Sequence, residues 1–317
     1  MRTAFVQTLL KLAEEDRRVQ LIVGDLGFGV VETFAKRFPD QFLNAGVAEQ
    51  NMTGIAAGMA LTGKIVFTYS IANFPILRCL EQVRNDVCYH NANVKIVAVG
   101  GGLAYGALGA SHHATEDLAI MRALPNMTVV APGDPAEAEA ATRAVASVAG
   151  PCYLRIGRAG EPRVHCYPVK FELGKAITLR EGRDLTLIST GGLLQTIAQV
   201  ADLLAIAGFD ARVLSMHTVQ PLDAEAVKHA ARETRAVFTF EEHSIIGGLG
   251  GAVAEVLAEA DLPTLVFKRF ALPAAFSRVV GSQEHIRSTH GLTPDSLSQA
   301  IQVFMEKNRA KVAVRAV

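Results

Sequence analysis

Asn44-Ala45-Gly46-Val47-Ala48-Glu49-Gln50-Asn51-Met52 is the stretch whose reading decides the fold. It follows a short apolar segment, Phe42-Leu43, and leads into the small and apolar residues from Met52 to Leu61. The pattern predicts a strand, a turn and a helix, with one carboxylate, Glu49, in the helix's first turn at the strand's C-terminal edge. In open α/β sheets that edge is where ligands bind. A carboxylate beside a helix N-terminus has a plain explanation, a dipole contact of about 0.3–1 kcal/mol. The neighbours point further: Ala48, Met52, Ile55, Ala56 and Met59 offer neither a cation nor a wet surface. A dry carboxylate needs a partner or a proton, because burying a charge unpaired is costly. A ligand nitrogen sharing a proton with Glu49 is the expected partner.

The chain has 317 residues, enough for one to three domains. Half of them are hydrophobic, and Lys+Arg and Asp+Glu both number 31, so a full core is available and the net charge is zero. That balance points to neither a nucleic-acid nor a membrane-surface partner. Cys79, Cys88, Cys152 and Cys166 show no close metal-type spacing and read as reduced thiols of a cytoplasmic protein. No apolar run of about 18 residues suggests a membrane span.

Outward from Glu49, the periodicity predicts a helix over Thr3 to Asp16 and a buried strand over Gln20 to Gly24, ending in the turn Asp25-Leu26-Gly27. A strand Ile65 to Phe67, a loop Tyr69 to Phe74 and a helix Arg78 to Cys88 come next. The strand Val94 to Val99 then runs into Gly100-Gly101-Gly102 and a long loop to His113. A helix Glu116 to Leu124, a strand Met127 to Ala131, a helix Pro135 to Ala149 and a strand Tyr153 to Ile156 complete a first domain, 1–163. Residues 164–175 read as a linker. A second βα series, 176–317, has strands at Leu185–Ser189, Asp210–Leu214, Ala236–Phe240 and Leu265–Phe267. Its helices are expected over Leu194–Ala207, Ala224–Ala231 and Thr293–Glu306, with one more opened by Gly247 to Gly251. The fold class is therefore α/β, with two tandem open-sheet βα domains.

Gly46-Val47-Ala48-Glu49-Gln50-Asn51-Met52 resembles the cofactor-activating segment of the transketolase family, which uses thiamine diphosphate. In that family the matching Glu hydrogen-bonds N1′ of the aminopyrimidine and favours the tautomer whose exocyclic nitrogen takes the thiazolium C2 proton. The resemblance makes Glu49 both catalytic and cofactor-binding. Tyr69 to Phe74 is similar to the family segment that stacks on the aminopyrimidine, which brings in Phe74 and Ile71. Asp25 and Leu26, at the same sheet edge, join them as cofactor contacts. Ser111-His112-His113 matches the family's Ser/Thr-His-Gln. That gives His112 a catalytic role, hydrogen-bonding the donor's oxygen, and adds His113 as a substrate contact. Arg158 matches the family's phosphate-binding Arg, and Arg78 is a second candidate of the same kind. Two adjacent histidines without a third ligand do not make a metal site.

Two departures bear on substrate. The family's loop Asp, which contacts a sugar hydroxyl, is replaced by Leu108, and Gly100 stands where a His is common. A site without that acceptor disfavours a fully hydroxylated donor. Gly24-Asp25 lacks the rest of the Gly-Asp-Gly and Asn motif that holds Mg²⁺ in thiamine enzymes, and Pro135 spoils Gly133-Asp134 for the same purpose. Met216 to Asp223 and Glu241 to Gly250 resemble the transketolase C-terminal domain; His243 there is expected to cap the glycine turn. The resemblance therefore implies one subunit of a split transketolase. An N-terminal partner would supply the diphosphate domain with its Mg²⁺ or Ca²⁺ in an α2β2 assembly. The alternatives are the β subunit of a 2-oxoacid dehydrogenase E1, an acyl-transferring enzyme like 1-deoxyxylulose-phosphate synthase, and a non-catalytic assembly subunit.

Overall fold

The computed structural model describes residues 1–166, 168–260 and 266–308. The first half runs α1 (Arg2–Glu15), β1 (Val19–Val23), α2 (Glu32–Arg37), β2 (Phe42–Asn44), α3 (Glu49–Leu61), β3 (Ile65–Ile71), α4 (Phe74–Leu77), α5 (Leu80–Gln82), β4 (Val94–Val99), α6 (Asp117–Arg122), β5 (Thr128–Val130), α7 (Pro135–Ser147) and β6 (Cys152–Ile156). The second runs β7 (Ile177–Arg180), β8 (Leu185–Ser189), α8 (Leu194–Ile206), β9 (Ala211–Ser215), β10 (Thr218–Gln220), α9 (Ala224–Glu233), β11 (Ala236–Ser244), α10 (Leu249–Glu259), β12 (Val266–Leu272), α11 (Gln283–Thr289) and α12 (Pro294–Lys307).

The strands are apolar because both sheet faces are covered. Along β1, Leu21 and Val23 join one core with Phe5, Leu9 and Phe34, while Ile22 joins the other with Met52 and Ala56. Alternation of side chains across the pleat thus puts α1, α2 and α7 on one face and α3 on the other. The second half repeats the plan, with α8 and α12 on one face of its sheet and α9 and α10 on the other.

The first sheet has the order β10-β5-β6-β4-β3-β1-β2 and the second β12-β11-β8-β9-β7. Pairing is parallel except at β10–β5 and β7–β9. β2 lies on one side of β1 and β3 on the other, so the loops leaving β1 and β3 diverge and open a crevice at their C-terminal ends.

Several expectations shift. The two sheets are not independent, since β10, from the second half, completes the edge of the first. Tyr69 to Ile71 is strand rather than loop, hydrogen-bonded to β4. The helix expected from Arg78 starts at Phe74 and breaks at Cys79 (φ −111°, ψ 11°), then resumes as α5 and a π turn over Val83–Cys88. The last strand is longer than expected, and its expected first residue, Leu265, lies outside the described residues. Residues 164–166 are pinned back onto the first domain: Asp134 caps α7 through Glu137 N–H and also accepts from the Val164 and His165 amides.

Candidate functional site

Glu49 is the first residue of α3, with Ala48 as its N-cap, so its carboxylate sits against the helix's positive end. Gly24, the residue after β1, lies alongside it: a Cβ there would make ordinary contact with Glu49 Cγ at 3.6 Å. The side chain is 3% exposed, yet it is not without a cation. Arg78, 29 residues later, donates from Nη1 to Glu49 Oε2 at 3.0 Å. This corrects the cation-free pocket expected above: the short helix after β3 folds Arg78 back over the crevice, a contact the residues flanking Glu49 could not reveal.

From that pair a line of side chains crosses the sheet edge. The Arg78 guanidinium lies over the Phe74 ring, 4.1 Å from its centroid. Phe74 meets the His112 ring edge-on at 5.3 Å, and His112 meets Tyr105 at 6.4 Å. Arg158, just past β6, stands over the Tyr105 ring at 5.5 Å. His112 Nδ1 is 3.0 Å from Ser111 Oγ. Tyr105 was not singled out from sequence, although it sits in the glycine loop. Burial raises its pKa, with Arg2 and Arg158 acting in opposition. An open cavity of about 420 Å³ adjoins this end of the line, bordered by Tyr105, Leu108, Arg158, Gln283 and Glu284.

The structure thus brings together Glu49, Phe74, Arg78, His112 and Arg158. Other candidates do different work. His113 is buried, its Nε2 sits 3.2 Å from the Gly106 carbonyl, and its own carbonyl accepts from Asn73; it braces the loop and is not open to substrate. Asp25 (φ +54°) is tied to Asn44 by hydrogen bonds of 3.0 and 2.9 Å, which link the loops after β1 and β2. Leu26 packs into the core on the α1 face, across the sheet from α3. Ile71 is half-buried at the end of β3. Arg78 grips Glu49 and Phe74, not the phosphate-binding place considered for it.

The glycine loop is held from beneath by residues that sequence reasoning missed. Gly100, Gly101 and Gly102 are each met by a different side chain, those of Tyr105, Arg155 and Glu242. Arg155 is 5% exposed; its Nε donates to Asp117 Oδ2 at 2.7 Å and its Nη2 to the Ala114 and Glu242 carbonyls. Tyr153 OH donates to the same Asp117 oxygen. Glu242, on β11, accepts from Leu103 N–H at 2.6 Å, from Gln283 and from Arg287. The second half therefore buttresses the loop that presents His112. The paired acids Glu241-Glu242, directly after the largely apolar Ala236 to Phe240, were the available signal.

His243 is structural, but it caps a different helix from the one expected. Its Nε2 accepts from Ala119 N–H in the first turn of α6, and its Nδ1–H donates to the Ser244 carbonyl. The glycine turn is capped by Glu241, which accepts from Leu249 and Gly250 N–H. Among the described residues no group of three or more His, Cys, Asp or Glu side chains could hold a metal ion, and no helix is long and apolar enough to cross a membrane.

The family model of the transketolase pyrimidine binding domain matches residues 1–160, and that of the transketolase C-terminal domain residues 174–297. The chain is 39% identical over 308 residues to a subunit of the apulose-4-phosphate transketolase of Phocaeicola vulgatus, covering 96% of this chain and 97% of that protein. It is 38% identical over 308 residues to the SqwH subunit of the 6-deoxy-6-sulfo-D-fructose transketolase of Clostridium sp., covering 97% and 95%. A solved structure described as a split gene transketolase, inactive beta4 tetramer, superposes with a TM-score of 0.87 at 38% identity, over 96% of this chain and 97% of that one.

Proposed function

The chain belongs to the transketolase family, and from that premise we propose that it is one subunit of a split, thiamine-diphosphate-dependent transketolase that moves a two-carbon unit from a ketose or keto donor to an aldehyde or sugar acceptor. The observation that carries this reading is the unbroken line Glu49–Arg78–Phe74–His112–Tyr105–Arg158 along the sheet's C-terminal edge.

The residues present fit the cofactor's aminopyrimidine. A buried carboxylate and an aromatic face already share one flat, nitrogen-bearing partner, the Arg78 guanidinium. An aminopyrimidine is also flat, and its ring nitrogen can share a proton with a carboxylate. Glu49 would hold that proton at N1′, Phe74 would stack on the ring, and His112 would hydrogen-bond the donor's oxygen. Arg158, exposed at the far end of the line, would meet a phosphate. Thiamine diphosphate, when bound, supplies the carbanion chemistry; the protein supplies orientation and electrostatics.

The diphosphate and its divalent cation belong, in this reading, to an N-terminal partner subunit in an α2β2 complex in the cytoplasm. Support comes from the two domains matched and from relatives that are themselves named as subunits. Leu108, at the loop tip, favours a donor with fewer hydroxyls than an ordinary sugar phosphate. The test is co-expression with the N-terminal partner and an assay of cofactor-dependent two-carbon transfer over a panel of sugar and acyl donors. Activity is expected only in the complex, and Glu49→Gln is expected to lower it by about 100-fold or more. Activity of this chain alone, or an unaffected Glu49→Gln complex, would overturn the reading.

A further inference from the structure

Arg78 occupies both contacts that the preceding reading gives to the cofactor's ring. Its Nη1 donates to the Glu49 carboxylate at 3.0 Å, and its plane lies over Phe74 at 4.1 Å. A guanidinium is flat, stacks on aromatic faces and is weakly hydrated, so it satisfies an acceptor and a ring together in a way an ammonium cannot. We propose that Arg78 is an internal stand-in for the aminopyrimidine: it keeps Glu49 paired and Phe74 covered in the cofactor-free protein, and thiamine diphosphate loads by displacing it. This inference rests on the assignment of Glu49 and Phe74 to the cofactor.

The asymmetry of the pair says which member moves. Glu49 is 3% exposed and fixed in the first turn of α3, whereas the Arg78 side chain is 50% exposed. Arg78 also sits at a break in the chain, after α4 ends at Leu77 and before the non-helical Cys79. Its side chain can therefore swing to solvent while the backbone stays in place. On leaving, it loses an ion pair that is already part-screened by water, and the carboxylate is handed to a ligand nitrogen without being left bare. Loading is then an exchange of one flat donor for another, and each molecule bound must first overcome the internal competitor.

The test uses the complex with its N-terminal partner, stripped of cofactor and titrated with thiamine diphosphate and Mg²⁺ by calorimetry. Arg78→Met removes the charge and the stacking plane at similar length. It is expected to bind the cofactor on the order of 10-fold more tightly, and in the cofactor-free state to melt at a lower temperature than the parent. Arg78→Lys keeps a charge but no plane, and an intermediate gain is expected; it carries the test alone should Arg78→Met fail to assemble. Unchanged or weaker cofactor binding in the variant that assembles overturns the displacement. A parent complex that takes up no cofactor overturns instead the assignment of this site to thiamine diphosphate.

Discussion

The ring of Tyr105 fills the space that a side chain on Gly100 would need. Gly100 has φ +79°, and a Cβ there would clash with the edge of the Tyr105 ring, at Cε2 and Cδ2. The departure at position 100 is therefore half of a pair: losing one side chain makes room for another, and Tyr105 connects His112 to Arg158. Gly100→Ala is expected to destabilise the protein by more than about 1 kcal/mol, through the left-handed backbone and the displaced ring together. Chemical denaturation of the single variant measures it. If Gly100→Ala combined with Tyr105→Ala is no more stable than Gly100→Ala alone, the ring is not the obstacle.

Asp117 and Arg155 form the buried ion pair under the glycine loop. Asp117→Asn would leave a buried guanidinium short of its anion, for which the expected loss is about 3–5 kcal/mol in urea unfolding. A loss under about 1 kcal/mol would mean that the Ala114 and Glu242 carbonyls suffice to hold Arg155.

Stability is also expected to depend on pH through His165, which lies between Asp134 (3.2 Å) and Glu137 (3.5 Å). Burial opposes its charge, but the close Asp134 and Glu137 carboxylates prevail over burial and Arg163, and its pKa is raised. A raised histidine contributes fully below its ordinary value near 6.5 and loses that contribution as pH climbs through the raised value. His217, pushed down to about 4 by burial, stays neutral throughout. Asp134 is held low and loses its own contribution only in strong acid. Melting temperatures should therefore fall as the pH climbs above about 6.5 in the parent, with a flatter profile in His165→Gln. Parallel profiles would remove His165 as the cause.

Leu108 is 54% exposed beside the Arg158 cavity. Leu108→Asp gives a donor hydroxyl an acceptor, and kcat/KM for a hydroxylated ketose phosphate is expected to rise roughly 10-fold relative to less oxygenated donors. An unchanged ratio across the donor panel would place the discrimination elsewhere.

The strands were legible because burial on both faces leaves an unbroken apolar run, as at Ile96 to Val99. Glu49 was legible because a lone carboxylate stands out in an apolar helix. The Arg78–Glu49 contact was not legible, since it depends on a backbone break at Cys79 and spans 29 residues. Glu242 and Arg155 were missed for a similar reason: their partners lie 139 and 38 residues away, at Leu103 and Asp117. Local periodicity carries no trace of contacts at such separations.

β10 has a consequence for anyone dividing this chain. Residues 218–220 come after the linker but hydrogen-bond along β5. A fragment stopped near residue 175 would bare a ladder of unpaired amides and carbonyls on β5, a template for association with other chains. The matched family boundaries near residues 160 and 174 mark ancestry rather than a place to cut.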